Sequence, residues 1–270
     1  MNIAMTIVLA IVGFIAYLFL NIVIRRMVAG VRSREDYDED VDGKMTDEEK
    51  KAFEESKEIE AGKLKIGFKD VKAEYGKRTY ITAILGAVLG ALTGFFFGLS
   101  VDTIIYFIFF GVLTVIAFID MDTMEIPPSL NLIILGLGII SLILTLTGVQ
   151  ESDVTIIDRL IGAVCVSGFL LIVTLLVKGA FGGGDIKLMA AAGVLLGWKG
   201  VVTGFLIGLF VGAAIGIVLI ARRKKGGKEH MPFGPSLCIG LVAAVLFGQQ
   251  LVNWYIDLLK SMMPNTYGGY

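Results

Sequence analysis

The chain has 270 residues, 56% of them hydrophobic, with a mean hydropathy of +0.80. That composition excludes an ordinary soluble domain and marks a polytopic membrane protein. The formal net charge of −1 singles out no partner and gives no reason to expect nucleic acid, but the charge is unevenly placed: residues 25–78 hold 14 of the 24 Lys and Arg and 15 of the 25 Asp and Glu.

A spanning helix takes about 20 mostly apolar residues. Eight runs approach that length, at 2–24, 80–98, 102–119, 129–148, 157–177, 187–198, 200–221 and 233–256. The expected fold is therefore an all-α polytopic membrane protein of about eight transmembrane helices. Its parts are a first anchor (1–24), a charged cytoplasmic loop (25–79), a seven-helix core (80–260) and a C-terminal tail (261–270). The run Asn2–Ile24 is too long for the apolar core of a signal peptide, and Arg25 and Arg26 follow it, so it is expected to be a retained anchor. The sixth run is short, and with the seventh it also reads as one bent hydrophobic block. Two glycine rows, Gly86/Gly90/Gly94 and Gly204/Gly208/Gly212/Gly216, have the spacing that lets helices pack closely. Phe95, Phe96 and Phe97 are expected to face lipid. Cys165 and Cys238 lie in apolar runs and read as small packing residues.

Within the charged loop, residues 38–49 fit the pattern D-x-D-x-D-G-x5-E of a calcium-binding loop. Asp38, Asp40 and Asp42 would supply carboxylates, Lys44 its carbonyl and Glu49 a bidentate group, with Gly43 at the sharp turn. The competing reading is a solvated helix start, because Thr46 and Glu49 also form a capping box for a charged helix over roughly 47–61.

Lys and Arg next to the spans set the expected orientation. Arg25, Arg26, Arg32 and Arg34 follow the first run, and Arg222, Arg223, Lys224, Lys225 and Lys228 follow the seventh. Both loops are then cytoplasmic and both termini outside. The loop 149–156 carries no basic residue, as an outside loop should. The same count places 120–128 and 178–186 on the cytoplasmic face.

Each of those two segments carries an acid at the end of an apolar run: Asp120, with Asp122 close behind, and Asp185 after three glycines, Gly182, Gly183 and Gly184. Acids at such positions are costly and mark either helix ends in headgroup water or a functional site. As a pair they suit aspartic peptidase chemistry. One ionised carboxylate activates water, the other holds a proton and hydrogen-bonds the scissile carbonyl, and two close carboxylates share that proton. The helix dipole favours Asp185, ahead of a helix start, as the more readily ionised partner. Spacing alone does not choose between Asp120 and Asp122.

Five segments together resemble the prepilin peptidase (type 4 leader peptidase) family of GxGD aspartic peptidases. They are Phe19–Arg26, Asp120–Pro127 (D-x-D-x-x-x-I-P), Arg159–Gly162 (R-x-x-G), Gly182–Lys187 with Gly197-Trp198, and Met231–Pro235 (PFGP). The resemblance implies that Asp120 and Asp185 are the catalytic acids, with Asp122, Pro127, Gly182, Gly183, Gly184, Lys187, Pro232, Phe233, Gly234 and Pro235 supporting the site or facing substrate. It implies cleavage of prepilin or pseudopilin leader peptides at the cytoplasmic face of a bacterial inner membrane, with no cofactor required for the cut. Many members carry Cys-x-x-Cys pairs in the first loop and also N-methylate the product. Residues 25–79 contain no cysteine, so methylation is not carried over, and S-adenosylmethionine is implied only if that activity is retained. The competing classes are a small proton-coupled carrier, disfavoured because both acids map to one face rather than the midplane, and a passive assembly factor.

Overall fold

A computed structural model describes residues 3–32, 51, 54–55, 57–59, 68–177, 179–222 and 232–262. The calcium-type loop 38–49, Met231 and most of the Arg222–Lys228 cluster lie outside the described residues. Seven long helices follow in order: α1 (Ile3–Arg32), α2 (Phe68–Phe97), α3 (Val101–Thr123), α4 (Pro128–Leu146), α5 (Ile156–Leu176), α6 (Gly183–Arg222) and α7 (Gly234–Met262). Six of them contain stretches long and apolar enough to cross a membrane, and the apolar part of α7 is Gly234–Gly248. The chain is a multi-pass, all-α membrane protein.

Local chemistry explains where the helices begin and end. Ser100 caps α3 by accepting from the Thr103 N–H at 3.3 Å. At its other end Met124 takes a left-handed conformation (φ 54) and closes the helix through its N–H to Asp120 O at 2.9 Å. Pro127 and Pro128 then start α4, with Pro128 at the first helical position, where its missing N–H costs nothing. Thr155 and Asp158 form a reciprocal capping box on α5.

Gly197 (φ 70, ψ 175) divides α6 into two helices. The neighbours of its glycines show that the chain turns back there. Gly184 lies against Ile126, Gly197 against Val154 and Asp158, and Gly212 against Phe233. Both ends of α6 therefore sit at the Asp120 end of the bundle and Gly197 at the opposite end. The bent block of the sequence is thus two antiparallel helices joined at Gly197, where about eight spans were expected and six of the described helices are long and apolar enough to cross.

Arg159 secures that turn. It is 2% exposed and donates to Val194 O at 2.9 Å, Leu195 O at 3.2 Å, Gly138 O at 3.4 Å and Ser141 Oγ at 3.0 Å. The first two carbonyls end the first half of α6, where they lack an intrahelical partner and the helix dipole favours a cation. One turn along, Gly162 lies against Gly193, Gly197 and Trp198, so the R-x-x-G and Gly-Trp motifs are two sides of one contact.

α3 is the central helix, touching α1, α2, α4 and α7, and its Phe109, Phe110, Leu113, Ile116 and Ile119 are fully buried. Gly86, Gly90 and Gly94 let α2 lie antiparallel on α1, against Tyr17, Leu9 and Thr6 in turn. Gly204, Gly208 and Gly212 do the same for α6 against α7, whereas a Cβ added at Gly216 would meet none of the described residues within 4 Å. Of the three phenylalanines expected to face lipid, only Phe95 is exposed. Phe96 packs edge-on to Phe247 and Phe97 packs on Tyr106, because the last turn of α2 leans over α3 and α7.

Candidate active site

Three of the motif segments meet at one end of the bundle: the α3–α4 turn, the turn into α6 and the turn into α7. Asp120 lies in the last turn of α3 and is 5% exposed; Asp185 is 7% exposed. Asp185 is inside the first turn of α6 rather than ahead of it, because the helix starts at Gly183. The two carboxylates are within electrostatic reach of one another, and Cys238, one turn into α7, is within reach of both.

Each carboxylate is held by a glycine backbone. Asp120 Oδ2 accepts the Gly234 N–H at 2.9 Å. Asp185 Oδ2 accepts the Gly182 N–H at 3.3 Å, while the Asp185 N–H returns to Gly182 O at 3.1 Å. The second bond is half of a capping box, with Gly182 as the cap and Asp185 three residues on. Asp185 Oδ1 is buried with no hydrogen-bond partner among the described residues. Residue 234 must be glycine for this geometry: an added Cβ would fall 2.6 Å from Asp120 Oδ2. At Gly184 it would fall 2.8 Å from Ile126 Cβ, so the α3–α4 turn and the turn into α6 are in direct backbone contact. Asn131, in the first turn of α4, adds a bond from Nδ2 to Gly184 O at 3.4 Å.

The other expected residues divide. Asp122 points to α2, where Arg78 Nη1 grips both of its oxygens at 3.0 and 2.9 Å. The same guanidinium reaches Phe118 O at 3.3 Å and lies 4.3 Å from the centre of the Phe118 ring. Pro127, Pro232, Phe233 and Pro235 are half-buried around the site, and Phe233 contacts Phe181 with ring centroids 5.5 Å apart. Gly182, Gly183 and Lys187 are exposed. Sequence reasoning missed Arg78 and Asn131, which have no local signal. Phe181 lies in the segment 178–186 that it placed on the same face as Asp120, but the contact with Phe233 had no signal.

Comparison with known proteins agrees with the segments that meet here. Residues 107–217, which contain both aspartates, match the Type IV leader peptidase family. The chain is similar to the prepilin leader peptidase/N-methyltransferases of Legionella pneumophila (31% identity over 64% of this chain and 60% of that protein), Bacillus subtilis strain 168 (28% over 65% and 68%) and Aeromonas salmonicida (33% over 70% and 63%). The matches thus span about two thirds of the length of these relatives or somewhat less. No solved structure matches the chain. Residues 107–217 of this protein thus match the Type IV leader peptidase family, and the relatives that the chain resembles over a wider stretch are prepilin leader peptidase/N-methyltransferases.

Proposed function

We propose that the protein is an intramembrane aspartic endopeptidase that removes the leader peptide of type IV prepilin-like substrates, with Asp120 and Asp185 as its catalytic pair. The observation that carries this reading is the pair itself: two buried carboxylates from different helices, in mutual electrostatic reach, each holding a glycine N–H. In the proposed reaction the ionised carboxylate takes a proton from water as the water oxygen attacks the scissile carbonyl. The protonated carboxyl hydrogen-bonds the carbonyl oxygen, and a proton passes to the leaving amine as the tetrahedral species collapses. Asp122, committed to Arg78, is outside this exchange.

The basic residues after α1 and α6 support a cytoplasmic placement of the site in a bacterial inner membrane, with both termini outside. Exposed Lys187 and the prolines Pro232 and Pro235 are the proposed substrate-facing elements, with Phe233 and Gly234 supporting the site. The test is co-expression with a prepilin and measurement of its size. Asp120→Asn and Asp185→Asn should each abolish processing. Wild-type cutting by either variant sinks the assignment, and the mass of the product's N-terminus reports whether a methyl group is added.

A further inference from the structure

Two Phe-Gly steps face each other across the site: Phe181-Gly182 leads into α6, and Phe233-Gly234 leads into α7. In both, the glycine N–H is the donor to an aspartate, 3.3 Å to Asp185 and 2.9 Å to Asp120. That N–H lies in the rigid peptide plane that begins at the Cα of the preceding phenylalanine, so fixing the phenylalanine restricts the direction of the bond. The two rings fix one another. Their centroids are 5.5 Å apart, with 54° between the planes, and both rings pack on the hydrophobic core. Phe233 also rests on Gly212 of the returning half of α6, where an added Cβ would come 2.8 Å from the ring. The ring of Phe233 thereby sits between the turn into α6 and the helix's returning half.

We infer that the Phe181–Phe233 contact is a clasp that sets the spacing of the two carboxylates, and that both phenylalanines are positioning residues for the reaction. The inference rests on the proposed Asp120–Asp185 pair. It differs from a purely structural role in what it predicts: a loosened clasp leaves the substrate's binding surface in place but misaligns the acids in the transition state, so kcat falls while KM holds.

The experiment is a double-mutant cycle on the full chain in detergent, cutting a purified prepilin, with Asp120→Asn and Asp185→Asn run alongside. Phe181→Ala and Phe233→Ala should each lower kcat by about 3- to 10-fold, the size expected from loss of one aromatic pair. The double variant should fall no further than the worse single one, because all three lose the same contact. Phe181→Met should retain most activity through a sulfur–ring contact. If the alanine variants do not fold, Phe181→Leu and Phe233→Leu, which also remove the ring–ring contact, complete the same cycle, with the same non-additivity expected. Losses that multiply in the double variant, a rise in KM at unchanged kcat, or a fall in melting temperature with unchanged kcat would each overturn the clasp. An Asp→Asn variant that still cuts overturns the pair instead, so the two failures are distinguishable.

Discussion

Gly234→Ala tests the site with one methyl group. The new Cβ would stand 2.6 Å from Asp120 Oδ2 and 2.9 Å from its Cγ, closer than carbon and oxygen can approach, so the carboxylate or the backbone must shift. Either movement breaks the 2.9 Å bond from the Gly234 N–H. A hydrogen bond to a charged group contributes about 1.5–3 kcal/mol. Should all of that loss appear in the transition state, the rate falls roughly 10- to 150-fold at 1.4 kcal/mol per tenfold. The assay is the initial rate of leader removal from a purified prepilin by detergent-solubilised enzyme, with melting temperature measured on the same samples. Gly216→Ala is the matched control, since no described residue lies within 4 Å of a methyl group there. A Gly234→Ala enzyme that cuts within about twofold of wild type would refute the idea that this amide sets the aspartate.

Asp122→Asn should keep the larger part of cleavage activity, because Asp122 is bound to Arg78 rather than to the pair; an Asp122→Asn enzyme as dead as Asp120→Asn would reassign the acid. Arg78→Ala should lower stability by about 1–2 kcal/mol, more than Asp122→Asn, since its partly exposed ion pair, its bond to Phe118 O and its ring contact are lost together, and thermal melts compare the two. Arg159→Met should cost about 3 kcal/mol or more by leaving the carbonyls at Val194 and Leu195 uncapped, and Arg159→Lys should rescue little of it because an ammonium cannot span the same set. Gly212→Ala should lower the melting temperature by driving Phe233 off its seat, whereas Gly216→Ala should leave it unchanged or raise it through better helix propensity; equal effects would contradict the packing described.

The long helices were legible because span length is a property of contiguous apolar sequence and needs no knowledge of partners. Even the short sixth run was visible, although only the positive φ of Gly197 distinguishes a reversal from a bend. The motif segments that gather at one end were readable too, since each carries an acid or a glycine–proline pattern in an otherwise uncharged stretch. What holds them was not. The Arg78–Asp122 grip joins residues 44 apart, and Asn131 reaches Gly184 across 53 positions. Nothing in the neighbourhood of either residue signals its partner. The Gly234 amide escaped for another reason: a backbone donor has no letter of its own, and the glycine in PFGP signals close approach without saying to what. Gly216 shows the reverse error, in which a periodic row overstates a contact that ends one turn earlier.

The short first half of α6 fixes the depth of the chemistry. From Gly183 to the turn at Gly197 is a helix about 20 Å long at 1.5 Å per residue, against a hydrocarbon layer of about 30 Å. Its turn lies beside Asp158, Trp198 and Lys199, groups that belong at a membrane surface. Were that end anchored at one membrane surface, Asp185 would fall about 10 Å short of the opposite boundary, beneath the level where surrounding acyl chains end. In the proposed reaction, water and a hydrophilic leader would then descend into a dent in the bilayer, and lipids bordering it would thin or tilt to follow. Membrane thickness thereby becomes a variable of the reaction: a thicker bilayer deepens the dent and lengthens the descent.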